Sequence, residues 1–332
     1  MLPRTMRIAL RVAPQHSTQY ADMTARLAEP ELRAACPPAR DLEHVRLGGH
    51  AYLLATIDQP PLGTLARLGA TSEAFEWLDS VGELSGPLLR PLERPLAPFV
   101  PLEMAEARRY KGKTSEVFSH VLLNLALFAS GFRDRVDTRL RVLDPLAGGG
   151  TTLFLALALG YDAFGIELGR RNVETTATFV REYCRDLRIP CRETRDRKPT
   201  RRYRYELGPR DDPRFLVLVE GDTRLAHELL RDVPGGARVH AIVGDLPYGI
   251  QHAGEARTLL GEALPAWERV LLAGGALALA WNATRLSRRA VVEAIADATT
   301  LAVLDEPPYT NLEHAVDRVI RKRDVVVATK PG

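Results

Sequence analysis

The stretch RLRVLDPLAGGGTTLFLALAL, residues 139–159, has the pattern of a strand joined to a helix through a glycine-rich turn. The apolar run that ends at Asp144 predicts a buried strand, and the apolar run from Thr151 predicts a helix. Glycines at 148–150 carry no Cβ, so the main chain can turn sharply there and approach a ligand closely. The turn has neither the Gly-Lys-Ser/Thr of a Walker A loop nor the spaced glycines of a dinucleotide-binding turn. A purely structural turn is the alternative.

Four strand-like runs of the chain end at or directly before an acidic residue. These residues are Asp144, Glu167, Asp222 and Asp245. These runs alternate with helical segments, which predicts an α/β fold: a parallel sheet with helices on both faces. The carboxyl ends of parallel strands meet at one edge of such a sheet, where ligands bind. We therefore expect the four carboxylates to surround a site. The alternative is that each caps a helix or faces solvent.

The second and third of these carboxylates suit a cofactor that contains adenosine. Glu167 ends the strand after the glycine turn, 23 residues beyond Asp144, where a carboxylate can accept both hydroxyl groups of a ribose. Asp222, in the sequence GDT, is expected to meet the adenine amino group or the adjacent main chain. This pattern fits NAD and S-adenosylmethionine equally, so both stay open at this point.

The sequence DLPYG, residues 245–249, follows the fourth strand and separates the two cofactors. The exocyclic amino group of a nucleic-acid base is a poor nucleophile, because its lone pair is delocalised into the ring. If the Asp245 carboxylate and a main-chain carbonyl accept its two N–H groups, the lone pair turns toward a methyl donor. Pro247 stiffens this turn, and Tyr248 offers a flat face on which a base can stack, worth about 1–3 kcal/mol. The alternative is an Asp–Pro turn with a core tyrosine.

Five motifs occur in a fixed order along the chain: RYKGKTSEVF (109–118), DPLAGGGT (144–151), GIEL (165–168), GDT (221–223) and DLPYG (245–249). Their order resembles that of the S-adenosylmethionine-dependent amino-methyltransferases whose catalytic motif is (Asp/Asn/Ser)-Pro-Pro-(Tyr/Phe/Trp). Within that class, the chain most resembles the tRNA guanosine-N2 methyltransferases. The resemblance covers residues 101–330, about two-thirds of the chain.

The resemblance implies a Rossmann-like class I methyltransferase sheet that ends in an antiparallel hairpin within residues 301–330. It implies S-adenosylmethionine as the cofactor, no metal, and residues 110–114 at the methionine end of the cofactor. The residues expected to bind the cofactor are Tyr110, Lys113, Thr114, Asp144, Pro145, Ala147, Gly148, Gly149, Thr151, Glu167, Asp222, Thr223 and Asp245. The expected catalytic residues are Asp245, Pro247 and Tyr248, and the expected substrate contacts are Tyr248, Gly249 and His252. For His252, a surface histidine is the alternative.

The favoured function is methylation of the exocyclic amino group of a nucleic-acid base, with guanosine N2 in tRNA as the specific form and nucleic acid as the partner. The chain departs from the pattern in two places. Leu246 stands where the motif has its first proline, and the first 100 residues show no recognisable THUMP domain, the RNA-binding extension of the tRNA enzymes. The alternatives are a DNA adenine-N6 or cytosine-N4 methyltransferase, a small-molecule N-methyltransferase, and a non-catalytic nucleic-acid-binding module.

Residues 1–100 predict a small α+β domain, which is a candidate for substrate binding. Residues 6–12 resemble a strand, residues 44–57 a hairpin around two glycines, and the apolar spacing of residues 61–79 predicts a helix. Prolines at 87, 91, 95, 98 and 101 predict an extended linker, and with it a boundary between domains 1–100 and 101–332.

The formal net charge of +3 permits a polyanionic partner without requiring one. Residues 188–204 hold eight basic and two acidic side chains, an excess of six, and either contact phosphates or form a solvated loop. Three cysteines without a CxxC pair argue against a disulfide scaffold or a zinc site. No apolar run reaches the roughly 18 residues of a membrane span. Since no signal-peptide pattern is visible either, we expect a cytoplasmic protein.

Overall fold

A computed structural model of the chain describes residues 5–15, 17–110, 112–196, 200–247, 253–316 and 321–332. Its N-terminal unit contains, in chain order, β1 (Thr5–Val12), α1 (Thr18–Ala35), β2 (Arg40–Leu47), β3 (His50–Asp58), α2 (Leu62–Leu65), β4 (Thr71–Val81) and β5 (Leu84–Pro91). The second unit contains α3 (Glu103–Ala107), α4 (Glu116–Ala129), β6 (Arg141–Asp144), α5 (Thr151–Ala158), β7 (Asp162–Glu167), α6 (Arg170–Asp186), β8 (Cys191–Asp196), β9 (Arg202–Leu207), β10 (Arg214–Glu220), α7 (Ala226–Leu229), β11 (Val239–Asp245), α8 (Ala253–Val270), β12 (Leu271–Asn282), α9 (Arg288–Ala298), β13 (Ala302–Val303) and β14 (Arg323–Thr329).

The N-terminal unit is an antiparallel sheet with strand order β2-β3-β1-β4-β5. Alternate residues of the central strand β1 face opposite sides, so Ile8 joins the core that also buries Leu27 of α1. Ala9 belongs to a smaller cluster on the other face. The predicted β2–β3 hairpin turns at Gly48 and Gly49, which both have positive φ. The expected small α+β domain is therefore confirmed.

The helix predicted for residues 61–79 is wrong. The single turn α2 is followed by the strand β4, which pairs with β1 on one side and with β5 on the other. Both faces of β4 carry apolar side chains, because Ala74 lies in the main core and Phe75 packs in the smaller cluster. This two-sided burial produced the misleading helical spacing. The helix α1 was not predicted either, because it contains Pro30, and proline is unfavourable in the interior of a helix.

The second unit is built on a sheet with strand order β13-β14-β12-β11-β6-β7-β10-β9-β8 among the described strands. β12, β11, β6, β7 and β10 run parallel, whereas β14 lies antiparallel between β12 and β13. At the other edge, β9 and β8 extend the sheet as an antiparallel pair beside β10. The expected Rossmann-like sheet and its terminal antiparallel hairpin are therefore confirmed.

The proline-rich segment 87–101 is bonded to both units, which differs from the expected free linker. Pro87 and Pro91 lie in β5, an edge strand, where a residue without an N–H is tolerated. The Arg94 guanidinium then donates to the main-chain oxygens of Leu65 and Thr71, both at 2.9 Å. Further along, the main chain at residue 99 donates to a carbonyl of α5.

A buried carboxylate joins the N-terminal unit to α4. Glu31 of α1 is fully buried and accepts hydrogen bonds from the main-chain N–H groups of Gly69 (2.8 Å) and Ala70 (2.9 Å). It also accepts from the side-chain amide of Asn124 at 2.6 Å. Burial raises the pKa of Glu31, and these donors oppose the shift. The division into domains at about residue 100 stays a prediction, since one apolar core runs through both units.

Among the helices in the described ranges, none is long and apolar enough to cross a bilayer. Within the same ranges, no group of three or more His, Cys, Asp or Glu side chains could hold a metal ion.

Candidate active site

A cleft lies at the carboxyl ends of β6, β7 and β11, beside the start of α4. Its volume of about 390 Å³ lies within the range of small-molecule sites, which is roughly 300–1,000 Å³. The predicted site residues that line it are Tyr110, Thr114, Asp144, Ala147, Gly148, Thr151, Glu167, Asp245 and Pro247. The sheet therefore brings three of the four predicted carboxylates to one cavity.

Asp144 ends β6 and is buried beneath the glycine turn. Its carboxylate accepts a hydrogen bond from the main-chain N–H of Leu146 at 3.0 Å. Burial raises the pKa of Asp144 to about 7, and the nearby carboxylates of Asp245 and Glu167 act in the same direction. A cation bound beside this group would favour its ionised form.

The glycine turn presents its main chain to the cleft. Gly148 (φ +48°) and Gly150 (φ +87°) occupy the left-handed region, which favours glycine. A Cβ placed on Gly148 would meet only the Leu146 carbonyl oxygen, at 3.9 Å, so this face of the turn opens onto the cavity. The space that a side chain would fill is thus available to a ligand.

At Gly149, the close approach is made by a protein side chain. A Cβ on Gly149 would lie 2.1 Å from the ring of Tyr110, so the ring packs directly on the turn. The Tyr110 hydroxyl is 3.0 Å from the Thr151 hydroxyl. Beside it, the buried Arg108 donates to the Gly149 carbonyl at 2.6 Å and also to the hydroxyl of Thr176. Arg108 and Tyr110, which precede α4, therefore hold the glycine turn in place.

Glu167 ends β7 with its carboxylate turned back over the glycine turn. One oxygen accepts from the main-chain N–H of Gly148 at 3.0 Å. The other accepts from the main-chain N–H of Gly169 at 2.8 Å and from the side-chain amide of Asn172 at 3.1 Å. A carboxylate has about four acceptor positions and three are occupied here, so Glu167 can accept from one ligand hydroxyl, at the oxygen that bonds Gly148.

Asp245 ends β11 and is held from two other elements. The Thr114 hydroxyl donates to its carboxylate at 2.8 Å. The Arg323 guanidinium lies 3.5 Å from the same oxygen, and this arginine, at the start of β14, is only 2% exposed. Arg323 also lies over the ring of Phe118, 4.4 Å from its centroid. The orientation of Asp245 is therefore fixed by the residues before α4 and by the inserted antiparallel strand.

Other predicted residues lie away from the cleft or have protein partners. Asp222 forms an ion pair with Arg224, which lowers the pKa of the Asp222 carboxyl, and the Thr223 hydroxyl accepts from the indole of Trp267 at 2.8 Å. Lys113 pairs with Glu116 of α4.

Three further residues of that list lie outside the described residues: Tyr248, Gly249 and His252. Pro145 packs near Gly244 beneath the turn.

The charge of the cleft distinguishes between the two cofactors that the sequence left open. Asp144, Glu167 and Asp245 line it, and no Lys, Arg or His belongs to the part of its lining that the structure describes. A pyrophosphate beside these carboxylates would be repelled, whereas a sulfonium or ammonium group would be attracted. The open face at Gly148 offers room for such a group. The residues present therefore fit S-adenosylmethionine better than NAD.

Sequence reasoning missed Arg108, Arg323 and Asn172. Arg108 directly precedes the first quoted motif, and Asn172 lies five residues beyond Glu167, so proximity to motifs was an available signal for both. Arg323 is one of several basic residues near the C-terminus, and nothing in the sequence marks it as buried beside Asp245.

The basic segment 188–204 forms much of the hairpin β8–β9 at the end of the sheet. Its arginines pair with nearby carboxylates, as Arg201 does with Glu220 and Arg204 with Asp196. The interleaved Tyr203 and Tyr205 are buried, and neither ring is exposed for stacking on a base. Ion pairing within the hairpin therefore favours a structural role for these described residues over phosphate binding.

The strand order and the acidic cleft together define an α/β sheet with a ligand-sized cleft at the carboxyl ends of its parallel strands. Enzymes with this sheet bind the cofactor at the carboxyl ends of the strands, where Asp144 and Glu167 lie.

Comparison with known proteins gives no match to a family model and no match to a curated protein. Among solved structures, the chain is similar to TrmN from Thermus thermophilus (19% identity, TM-score 0.41), covering 88% of this chain and 60% of that one. It is also similar to an rRNA methylase from Streptococcus thermophilus (16% identity, TM-score 0.36), covering 67% of this chain and 100% of that one. A third similar structure is the precorrin-6y C5,15-methyltransferase of Geobacter metallireducens (15% identity, TM-score 0.38), with 67% and 92% covered.

The chain thus spans about three-fifths of the length of TrmN. At these identities and TM-scores, the similarities assign neither a substrate nor an activity to the chain.

Proposed function

We propose that the chain transfers the methyl group of S-adenosylmethionine to the exocyclic amino nitrogen of a nucleic-acid base. The observation that carries the proposal is the position of Asp245. Its carboxylate lines the same cleft as Glu167 and Gly148, at the end of the strand beside β6. An acceptor at that place can hold an amino group next to the cofactor.

Asp245 and the main-chain carbonyl of Leu246 would each accept one N–H of the target amino group. With both N–H groups held in this way, the lone pair of the nitrogen would point toward the methyl group. Thr114 and Arg323 hold the Asp245 carboxylate before substrate arrives, so little reorganisation is needed. Pro247 would stiffen the turn that carries these acceptors, and Tyr248 would supply the face on which the base stacks.

The cofactor supplies an electrophilic methyl group on a sulfonium, so the protein contributes positioning and electrostatics. Glu167 would accept one ribose hydroxyl, Asp144 would face the positively charged end, and the Gly148 main chain would border the cofactor. Tyr110, Ala147, Thr151 and Thr114 complete the proposed cofactor wall.

Asp222 would reach the adenine only if its carboxylate accepts from the base as well as from Arg224. We assign Thr223 to packing against Trp267.

The specific form of the proposal is guanosine N2 in tRNA, supported by the order of the five sequence motifs. The test supplies purified protein with methyl-labelled S-adenosylmethionine and, separately, total tRNA, total DNA and a metabolite extract. Each product is then digested to nucleosides and identified. We expect label in tRNA as N2-methylguanosine.

The matched control is Asp245→Asn, which keeps the shape of the side chain and should carry almost no label. Label on a ring carbon or a ribose oxygen would contradict amino methylation. Label in DNA alone would replace the tRNA form with an adenine-N6 or cytosine-N4 activity.

A further inference from the structure

A second cavity, of about 360 Å³, lies between the N-terminal unit and α4. Its apolar wall includes Leu68, Leu102, Val117 and Leu155. The first two turns of α4 separate it from the catalytic cleft, because Val117 and His120 line the second cavity whereas Phe118 and Ser119 line the cleft. The two cavities therefore share one helix as a wall, on opposite faces.

Unsatisfied polar atoms of the described residues gather in this second cavity. Four buried atoms among its lining residues have no hydrogen-bond partner in the described structure: Thr71 Oγ1, Ser72 Oγ, Arg94 Nε and His120 Nε2. Thr71 and His120 are themselves more than nine-tenths buried, at 4% and 8% exposure. Buried polar atoms are rarely left without partners, so a cluster of them around one cavity points to a ligand.

The hydrogen-bonding character of these atoms limits what the ligand can be. A neutral His120 ring carries one proton, and if this proton faces the main-chain carbonyl of Arg67, Nε2 is an acceptor. Burial and the neighbouring Arg94 lower the pKa of His120 to about 4, which keeps the ring neutral. Arg94 Nε–H is a donor, and the two hydroxyls can act either way.

The ligand must therefore offer both a donor and an acceptor, on a group small and flat enough for apolar walls. A fully ionised anion such as sulfate, or a phosphodiester group, offers acceptors alone and would leave His120 Nε2 unpaired. The edge of a nucleobase carries adjacent donors and acceptors, and its faces suit apolar packing. Lys113 donates to the Glu106 carbonyl at 3.1 Å and pairs with Glu116, and because both acidic residues line the cavity, its charge is offset there.

We propose that this cavity binds an unpaired nucleobase next to the one being methylated. The inference rests on the proposed function, because the nucleic-acid substrate of that function is the strand that would supply the base. Protein sites that read single-stranded RNA splay out bases and bind them separately. With side chains, a helix is about 10–12 Å across, so two cavities on opposite faces of α4 can receive different bases of one strand.

The test uses two probes, a fluorescent unstructured 12-nucleotide RNA and a heparin fragment of similar charge, with the full chain. The double variant Thr71→Val/Ser72→Ala removes two of the polar atoms at nearly constant shape. We expect it to weaken RNA binding about tenfold, leave heparin binding unchanged, and keep the affinity for S-adenosylmethionine. Because these hydroxyls have no partner in the described structure, its melting temperature should not fall.

The matched control is Thr24→Val in the same unit, since the buried Thr24 hydroxyl donates to the Tyr20 carbonyl at 2.7 Å. This variant should lower stability and leave RNA binding unchanged. Titration with the four free nucleosides and with inorganic phosphate distinguishes the sources of the base. Nucleoside binding that the double variant abolishes would indicate a free-base site, and binding of RNA alone would indicate a substrate contact.

Unchanged RNA and nucleoside affinity in the double variant, or binding of inorganic phosphate in place of nucleosides, would overturn the inference. These outcomes are independent of the proposed function, because methyl transfer to tRNA by the unaltered chain is measured separately. Failure of that transfer, with nucleoside binding intact and sensitive to the variant, would reject the function and keep the base site.

Discussion

Two carboxylates of the described structure are held in different surroundings, Glu31 fully buried at the junction between the units and Asp245, with its side chain 17% exposed, at the edge of the large sheet. Glu31 at the junction accepts from three protein donors, on Gly69, Ala70 and Asn124. Asp245 at the sheet edge is oriented by Thr114, and it borders a cleft. A carboxylate surrounded by protein donors holds the structure together, whereas an oriented carboxylate on a cavity can also serve a ligand. Burial alone therefore does not identify a functional acid in this protein.

The largest expected effect comes from changing the carboxylate on the cleft. Asp245→Asn keeps the size of the side chain but replaces the charged acceptor with an amide that can present its donor side. We expect single-turnover methyl transfer to fall roughly 100- to 1,000-fold, the usual cost of losing one oriented electrostatic group. The melting temperature and the affinity for S-adenosylmethionine should change little.

The control for this prediction is Asp162→Asn at the opposite end of the same sheet. Asp162 is buried and pairs with Arg139 at 2.9 Å, so its loss should lower stability and leave turnover per folded molecule intact. Near-native turnover in Asp245→Asn would show that DLPYG is a turn without a catalytic role.

A change to the carboxylate at the junction should lower stability and leave turnover intact. Glu31→Leu leaves the buried N–H groups of Gly69 and Ala70 without an acceptor, so we expect the free energy of unfolding to fall by about 2–4 kcal/mol. Turnover of the folded fraction should stay close to that of the unaltered chain. Chemical denaturation measures the first quantity and active-site titration the second. A loss of turnover without a loss of stability would break the distinction between the two carboxylates.

A smaller effect is expected at the ribose end of the cleft. Glu167→Ala should weaken S-adenosylmethionine binding roughly 10- to 100-fold, because hydrogen bonds to a charged group are worth about 1.5–3 kcal/mol. Some of that loss would come from the glycine turn, since Glu167 also accepts from Gly148. Glu167→Gln retains an acceptor for Gly148 and should give an intermediate affinity. Equal affinities for all three proteins in calorimetry would remove Glu167 from the cofactor site.

The large sheet could be predicted from the sequence, because each of its parallel strands is marked by residues that are neighbours in the chain. The parallel strands β6, β7, β10, β11 and β12 are largely apolar runs, and three of the four predicted carboxylates follow such runs into the cleft. The N-terminal unit was harder to predict. β4 is apolar on both faces, and α1 contains Pro30, so neither carries a clear periodic pattern.

The partners of the site residues could not be predicted, because they come from distant parts of the chain. Arg323 reaches Asp245 only once β14 has inserted beside β12, and Arg108 reaches the glycine turn across α4. Likewise, the sequence did not show that the positive charge of Arg201, in the 188–204 segment, is paired with Glu220 of β10 and so is not free to bind phosphate.

The smallest expected effect concerns Asp144, which stands between the two kinds of carboxylate: it is as buried as Glu31 and yet lines the cleft. Its folded pKa of about 7 lies above the ordinary value of 3.8, so the folded cofactor-free protein retains a proton that the unfolded chain releases. Asp144 therefore costs stability progressively as the pH rises from about 4 to about 7. A bound sulfonium favours the carboxylate, so S-adenosylmethionine should bind about three- to tenfold more tightly at pH 8 than at pH 6, with proton release. Calorimetry in buffers of different ionisation enthalpy measures both. Asp144→Asn should abolish the proton release and flatten the pH dependence; if the variant keeps the slope of the unaltered chain, another group titrates and Asp144 belongs with Glu31 as a structural acid.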